Sequence, residues 1–202
     1  MESSTVIIDN GSGMIKAGFS GEDAPRSVFP TVFGRPKELG TRDDCIGDEA
    51  IANRGELDLH YPISAGIVES WPEMEKVWGH TFGAALGVEA SEPHGVFMTE
   101  DVFNTKKNSE KMIQIMFETF NVQNFYVTKN SRLPVYACGY DTGLCVSVGH
   151  GVTHTTPVFK DFIVPQGVKK MEIAGHALTM WTRDQLKSFG ETFNSDDEMF
   201  IA

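Results

Sequence analysis

Two short glycine turns carry the residues of this sequence whose types and spacing suit chemistry. VIIDNGSGMIKAGF (6–19) sets Asp9 and Lys16 on either side of Gly11-Ser12-Gly13, with Met14 directly after the turn. LCVSVGHGVTHTTPVF (144–159) repeats the pattern around Gly149-His150-Gly151, followed by Val152. A fixed offset of 138 residues (149 minus 11, 151 minus 13, 144 minus 6) pairs Gly11 with Gly149, Gly13 with Gly151 and Val6 with Leu144. Each copy reads as an apolar strand, a G-x-G turn and a second strand. One such turn carries little information; two, separated by a mixed helix–strand segment, describe two related half-domains. Tight glycine turns aim backbone N–H groups at phosphate oxygens, so the natural target of the pair is a polyphosphate. The same offset sets Ser147 opposite Asp9, and a serine there removes a carboxylate that would attract a hydrated divalent cation.

The elements that must position these turns are legible around them. TVIID (5–9) is a buried strand, Asn10 to Gly13 its turn and MIKAGF (14–19) its hairpin partner. From Gly21 to Gly40, Pro25, Pro30 and Pro36 mark loop interspersed with short strand, and a polar segment then runs to helical residues after Asp48. A helix is expected over WPEMEKVWGHTFGAAL (71–86), with Pro72 in its first turn and Met74, Val77, Trp78, Phe82 and Leu86 at helical spacing. A second, NSEKMIQIMFETF (108–120), is capped by Asn108 or Ser109 and striped by Met112, Ile115, Met116 and Phe120. A third and less regular helix covers 176–189. The apolar stripes are core faces, not cofactor contacts.

Composition narrows the function classes. The 202 residues carry 28 Asp and Glu against 17 Lys and Arg, a net charge of −11. That surface repels phosphate backbones and anionic lipid, so neither nucleic acid nor membrane is an expected partner. Cys45, Cys138 and Cys145 are scattered, without metal-ligand spacing, which suits a reducing compartment and no structural zinc. The start MESSTVIIDN has no basic, apolar leader pattern, and no run is long enough to span a bilayer. Cytoplasm and cytoskeleton are the expected location, with the axoneme one setting and the nucleus left open.

DNGSGMIKAGFSGEDAPRSVFPTVFGRP (9–36) resembles the start of actin, as do GDEA (47–50), YPISAGIVESWPEMEKVWGHTF (61–82) and EKMIQIMFETFNV (110–122). GVTH (151–154) and LTMW near residue 180 continue in register, so the resemblance to the actin family covers nearly the whole chain and fades after about residue 190. It implies an α/β, actin-like ATPase fold of two ribonuclease H-like halves that clasp Mg-ATP. Residues 1–143 would be the first half, with a small inserted subdomain at about 33–69, and 144–202 a partial second half. The acidic tail weakly favours a natural end at residue 202, and Ser195 to Glu198 is expected to be solvated.

The resemblance also assigns roles. Asp9, Gly11, Ser12, Gly13, Met14 and Lys16 make an intact first nucleotide hairpin, and Gly149, Gly151 and Val152 are the remnant of the second. Ser147 and His150 stand at the family's two acidic, metal-attracting positions. A neutral imidazole does not replace that charge and a protonated one opposes a metal, so no metal site is expected. Asn130 aligns with the glutamine that orients the attacking water and is one methylene shorter. Pro134, four residues on, removes a helical N–H and is expected to delay or bend the helix. Phosphoryl transfer rests on positioning and charge neutralisation, so ATPase activity should be lost or very weak. The loop Lys37 to Cys45 is shorter than the actin loop that grips the next subunit, and Ala65 replaces a histidine common near the nucleotide sensor. No self-polymer is expected. The reading is a non-catalytic, actin-related structural subunit in a larger cytoskeletal assembly, axonemal or cytoplasmic ahead of a chromatin complex. Its partners would be proteins, with actin or other actin-like subunits among them. The alternatives are a nucleotide-binding switch with weakened ATP or ADP and Mg binding, and a regulator that caps conventional actin.

Overall fold

Alternating burial organises the first sheet. β1 (Val6–Asn10) sends Val6 and Ile8 inward, and β2 (Met14–Phe19) does the same with Ile15 and Ala17. β1 and β2 pair antiparallel across the glycine turn, and β3 (Ser27–Pro30) extends them. The computed structural model describes residues 5–38, 42–92 and 95–191. The tail Ser195 to Glu198 lies outside them, as does part of the loop from Lys37 to Cys45.

The chain then leaves this sheet and returns. β4 (Phe33–Pro36), β5 (Cys45–Ile46), α1 (Asp48–Ala52) and β6 (Leu57–His60) form a small unit with its own core of Val32, Cys45, Ala50 and Leu57. A tight hairpin, β7 (Ile63–Ser64) and β8 (Ile67–Val68), turns through Ala65 and Gly66, both at positive φ. α2 (Trp71–His80) follows with Pro72 in its first turn. The long helix expected over 71–86 is α-helical only to His80 and continues as a π-helix, Thr81–Leu86. Thr81 Oγ1 donates to the Val77 carbonyl at 2.8 Å, and such back-bonding loosens the regular ladder at the point where the period changes.

β9 (Gly95–Glu100) joins β1 in parallel, and β10 (Asn124–Lys129) joins β9, giving the sheet order β10-β9-β1-β2-β3. Between them α3 (Lys106–Glu118) lays Met112, Ile115 and Met116 on the apolar face of β1 and β9. Its cap is Thr105, whose Oγ1 accepts from the Asn108 N–H at 3.2 Å, so Asn108 and Ser109 lie inside the helix they were expected to start.

A 3₁₀ turn, Asn130–Arg132, leads into α4 (Leu133–Ala137). Pro134 falls in the first turn of α4, where its missing N–H has no helical acceptor to lose, so the delayed start avoids the cost of an interior proline. β11 (Gly143–Val148) and β12 (Thr153–Phe159) form the second glycine hairpin, extended by β13 (Phe162–Ile163) and β14 (Lys169–Met171). α5 (Gly175–Ser188) closes the described chain, and no residue in it is buried. The mixed sheets, crossover helix and inserted unit are those of an actin-like α/β fold.

Candidate functional site

The two glycine turns face each other across a cleft of about 660 Å³. All of the residues singled out above line it: Asp9, Gly11, Ser12, Gly13, Met14 and Lys16 from one wall, Ser147, Gly149, His150, Gly151 and Val152 from the other, and Asn130 from the connection.

The first wall is held from behind. Trp78 Nε1 donates to Asn10 Oδ1 at 3.0 Å, and the Asn10 side-chain amide donates to the Thr99 carbonyl at 3.1 Å. The turn itself is fixed by Thr31, whose N–H reaches the Gly13 carbonyl and whose hydroxyl donates to the Gly11 carbonyl at 2.8 Å. Asp9 and Lys16 are direct partners across β1 and β2, and their side chains meet: Lys16 Nζ donates to Asp9 Oδ2 at 3.0 Å. The other carboxylate oxygen accepts from Thr99 Oγ1 at 2.6 Å. The acid and base of the first turn are therefore engaged with each other.

The second wall meets the first through side chains. A Cβ added at Gly13 would lie 2.8 Å from Cγ of His150, so the imidazole rests directly on the backbone of the first turn. His150 also stacks obliquely on His176, ring centroids 5.5 Å apart. Burial lowers the His150 pKa and the neighbouring His176 lowers it further, which favours the neutral ring. Gly151 leaves no room for a side chain either: its added Cβ would stand 3.0 Å from Ala65, the residue that replaces a histidine. Beside it, Ser12 Oγ accepts from the Gly66 N–H at 2.8 Å and ties the first turn to the β7–β8 hairpin.

Two residues at this site were missed by sequence reasoning. His154 is 2% exposed, its Nδ1 is 3.2 Å from Thr156 Oγ1, and its Nε2 is 3.6 Å from Asp101 Oδ2. Asp101, at the end of β9, accepts the Phe103 N–H through Oδ1 at 2.9 Å and presses its side chain against Gly66. His154 stood in the GVTH string and could have been flagged as a histidine pointing to the same side of β12 as the turn. Asp101 carries no such signal. Nearby, Lys129 Nζ reaches Glu100 at 2.8 Å and the carbonyls of Asp101 and Asn104, fixing the approach to Asn130. Burial alone would raise the Glu100 pKa, but hydrogen bonds from Lys129, Ser109 and Asn104 outweigh it and hold the carboxyl low.

A magnesium nucleotide, which an actin-like fold implies, can be tested against these groups. It would need carboxylates on both walls and an open first turn. Asp9 is the only wall carboxylate at the expected positions and is already paired to Lys16 and Thr99. Among the described residues no three His, Cys, Asp or Glu side chains come together to hold a metal. The His150 ring occupies the space over Gly13. Asp9, Asp48 and Asp101 against Lys16 leave the lining acidic, unfavourable to a triphosphate. In favour of a ligand stands Asn130, whose Oδ1 is buried without a hydrogen-bond partner. The residues do not fit a metal-bound triphosphate. The architecture around them is nonetheless of one family: the family model described as actin matches residues 1–195, and the chain belongs to the actin family.

Proposed function

We propose that this chain is a non-catalytic, actin-related structural subunit that offers the actin scaffold as a binding surface within a larger cytoskeletal assembly. The observation that carries the reading is the second turn. Ser147 and His150 stand where a metal-dependent ATPase needs carboxylates, and the His150 ring lies on Gly13. Phosphoryl transfer depends on a positioned metal and nucleophile, and neither is provided by these groups. Conserving the sheet and helix cores without that chemistry suits a protein whose surface is its function. Partners would be proteins, actin-like subunits included, in cytoplasm or axoneme.

The test is the native size of the endogenous protein tagged at Met1, read by gradient sedimentation. Sedimentation in a large, defined assembly is expected; migration at the mass of the chain alone would overturn the reading.

A second reading, a nucleotide-binding switch, draws on the buried, unpartnered Asn130 Oδ1 and the cleft volume. Calorimetric titration with Mg-ATP decides it: saturable binding abolished by Lys16→Ala would favour the switch.

A further inference from the structure

The internal repeat states what is missing beside β11. In the first half, β1 lies between two strands, antiparallel β2 and parallel β9. Its counterpart β11 pairs with β12 alone and forms an open edge of its sheet. The same offset matches Leu144 to Val6 and Val146 to Ile8 (144 minus 6 and 146 minus 8 are both 138). Val6 and Ile8 are 0% exposed, beneath the Met112, Ile115 and Met116 stripe of α3. Leu144, Val146 and Val148 are 64%, 62% and 66% exposed. The opposite face of β11 is already covered, since Cys145 packs with Val135 and Val158. Equivalent positions of one repeat thus differ only in whether a parallel strand and its helix are present.

The backbone of β11 is set to receive that strand. The Val164 N–H donates to the Pro157 carbonyl, so Pro157 directs its hydrogen bonding toward β13. Its partner Leu144 is then a non-hydrogen-bonded pair with β12, and by alternation Val146 and Val148 are too. The N–H and C=O groups of these three residues point out of the open edge. None of the six residues of β11 is charged, so the edge lacks the usual protection against strand addition.

We propose that β11 is a docking edge for a strand–helix unit of another polypeptide. The incoming strand runs parallel to β11, as β9 does to β1, and its helix lays apolar residues at i, i+3 and i+4 on Leu144, Val146 and Val148. This is strand addition with a helix cover, a recognised mode of recognition. It names the partner class for the scaffold reading and rests on it.

The experiment uses the tagged chain in its native assembly. Val146→Pro removes an N–H aimed at the edge and breaks no bond to β12, so the fold survives while strand addition is blocked. This variant is expected to leave the assembly and keep its Tm. In the wild-type assembly, amide exchange at Leu144, Val146 and Val148 should slow by at least about tenfold relative to the isolated chain. A photocrosslinker placed at Leu144 should label an apolar strand next to a helix in a second polypeptide. Retention of Val146→Pro at full assembly size, unchanged exchange, or a crosslink to a charged loop would overturn the edge and leave the scaffold reading standing. A crosslink to the tagged polypeptide itself would overturn the assignment to a partner. A wild-type chain that sediments alone removes both.

Discussion

His150 and Gly13 illustrate how one substitution changes what a cleft can hold. The imidazole sits where any Cβ on Gly13 would fall 2.8 Å away, so the two turns touch through a ring instead of through a shared ligand. Gly13→Ala is therefore expected to destabilise the protein by about 1–3 kcal/mol, the usual cost of overpacking. In a His150→Ala background the same change should cost much less, because the atoms it strikes are gone. Equal costs in both backgrounds, by chemical denaturation, would refute the contact. Acid should weaken the same region. His150 has its pKa lowered by burial and by His176, so as pH falls below about 6.5 the unfolded chain takes up the proton first and stability drops. Glu100, held low by its hydrogen bonds, adds a further loss as pH falls through and below about 4.5. Tm measured against pH should decline across both windows, and His150→Gln should flatten the upper one. A Tm that is constant from neutral pH to pH 5 would contradict the assignment of a neutral, buried ring.

At the scale of elements, the cap of α3 is a direct test of where local chemistry acts. Thr105 Oγ1 accepts the Asn108 N–H, so Thr105→Ala should cost about 1 kcal/mol and Asn108→Ala clearly less. The reverse order in thermal melts would restore the cap expected from sequence. That misplacement shows what was legible and why. Both glycine hairpins could be read because period-two alternation and G-x-G spacing are local signals, and the offset of 138 between them needs no tertiary knowledge. The apolar stripes of α2 and α3 were equally clear and do form the core. The helix boundary failed because Thr105, Asn108 and Ser109 are all competent caps, and only backbone geometry chooses among them. The π-helix at Thr81 to Leu86 leaves the apolar spacing unchanged and so left no trace in the pattern. Pro134 was read as a strain, but a 3₁₀ turn moved the helix start and placed it where proline is tolerated. The meeting of Asp101 with His154 joins the end of β9 to β12, and no local rule predicts such a pair.

For the molecule as a whole, the question is what holds the two halves together. Three links on the page cross the cleft or its rim: Ser12 to Gly66, His150 on Gly13, and Asp101 beside His154. All are made by the chain's own groups. A ligand that bridged the halves at a hundredfold excess over its Kd would add about 2.7 kcal/mol. For a chain of this length that corresponds to a rise in Tm of roughly 5–10 °C. The chain is expected to show no such rise in excess Mg-ATP, because its cleft lacks the metal-attracting carboxylates and its first turn is covered. The paired change Ser147→Asp with His150→Asp reverses both conditions. Two added carboxylates near Asp101 and Asp48 repel one another, so the variant should melt below wild type without magnesium, and magnesium should recover part of the loss. Removal of the ring also uncovers Gly13, so Mg-ATP should raise the variant's Tm further than magnesium alone. A wild-type Tm that climbs with Mg-ATP would mean that the halves are bridged by nucleotide after all. A variant that ignores magnesium would locate the defect beyond these two positions.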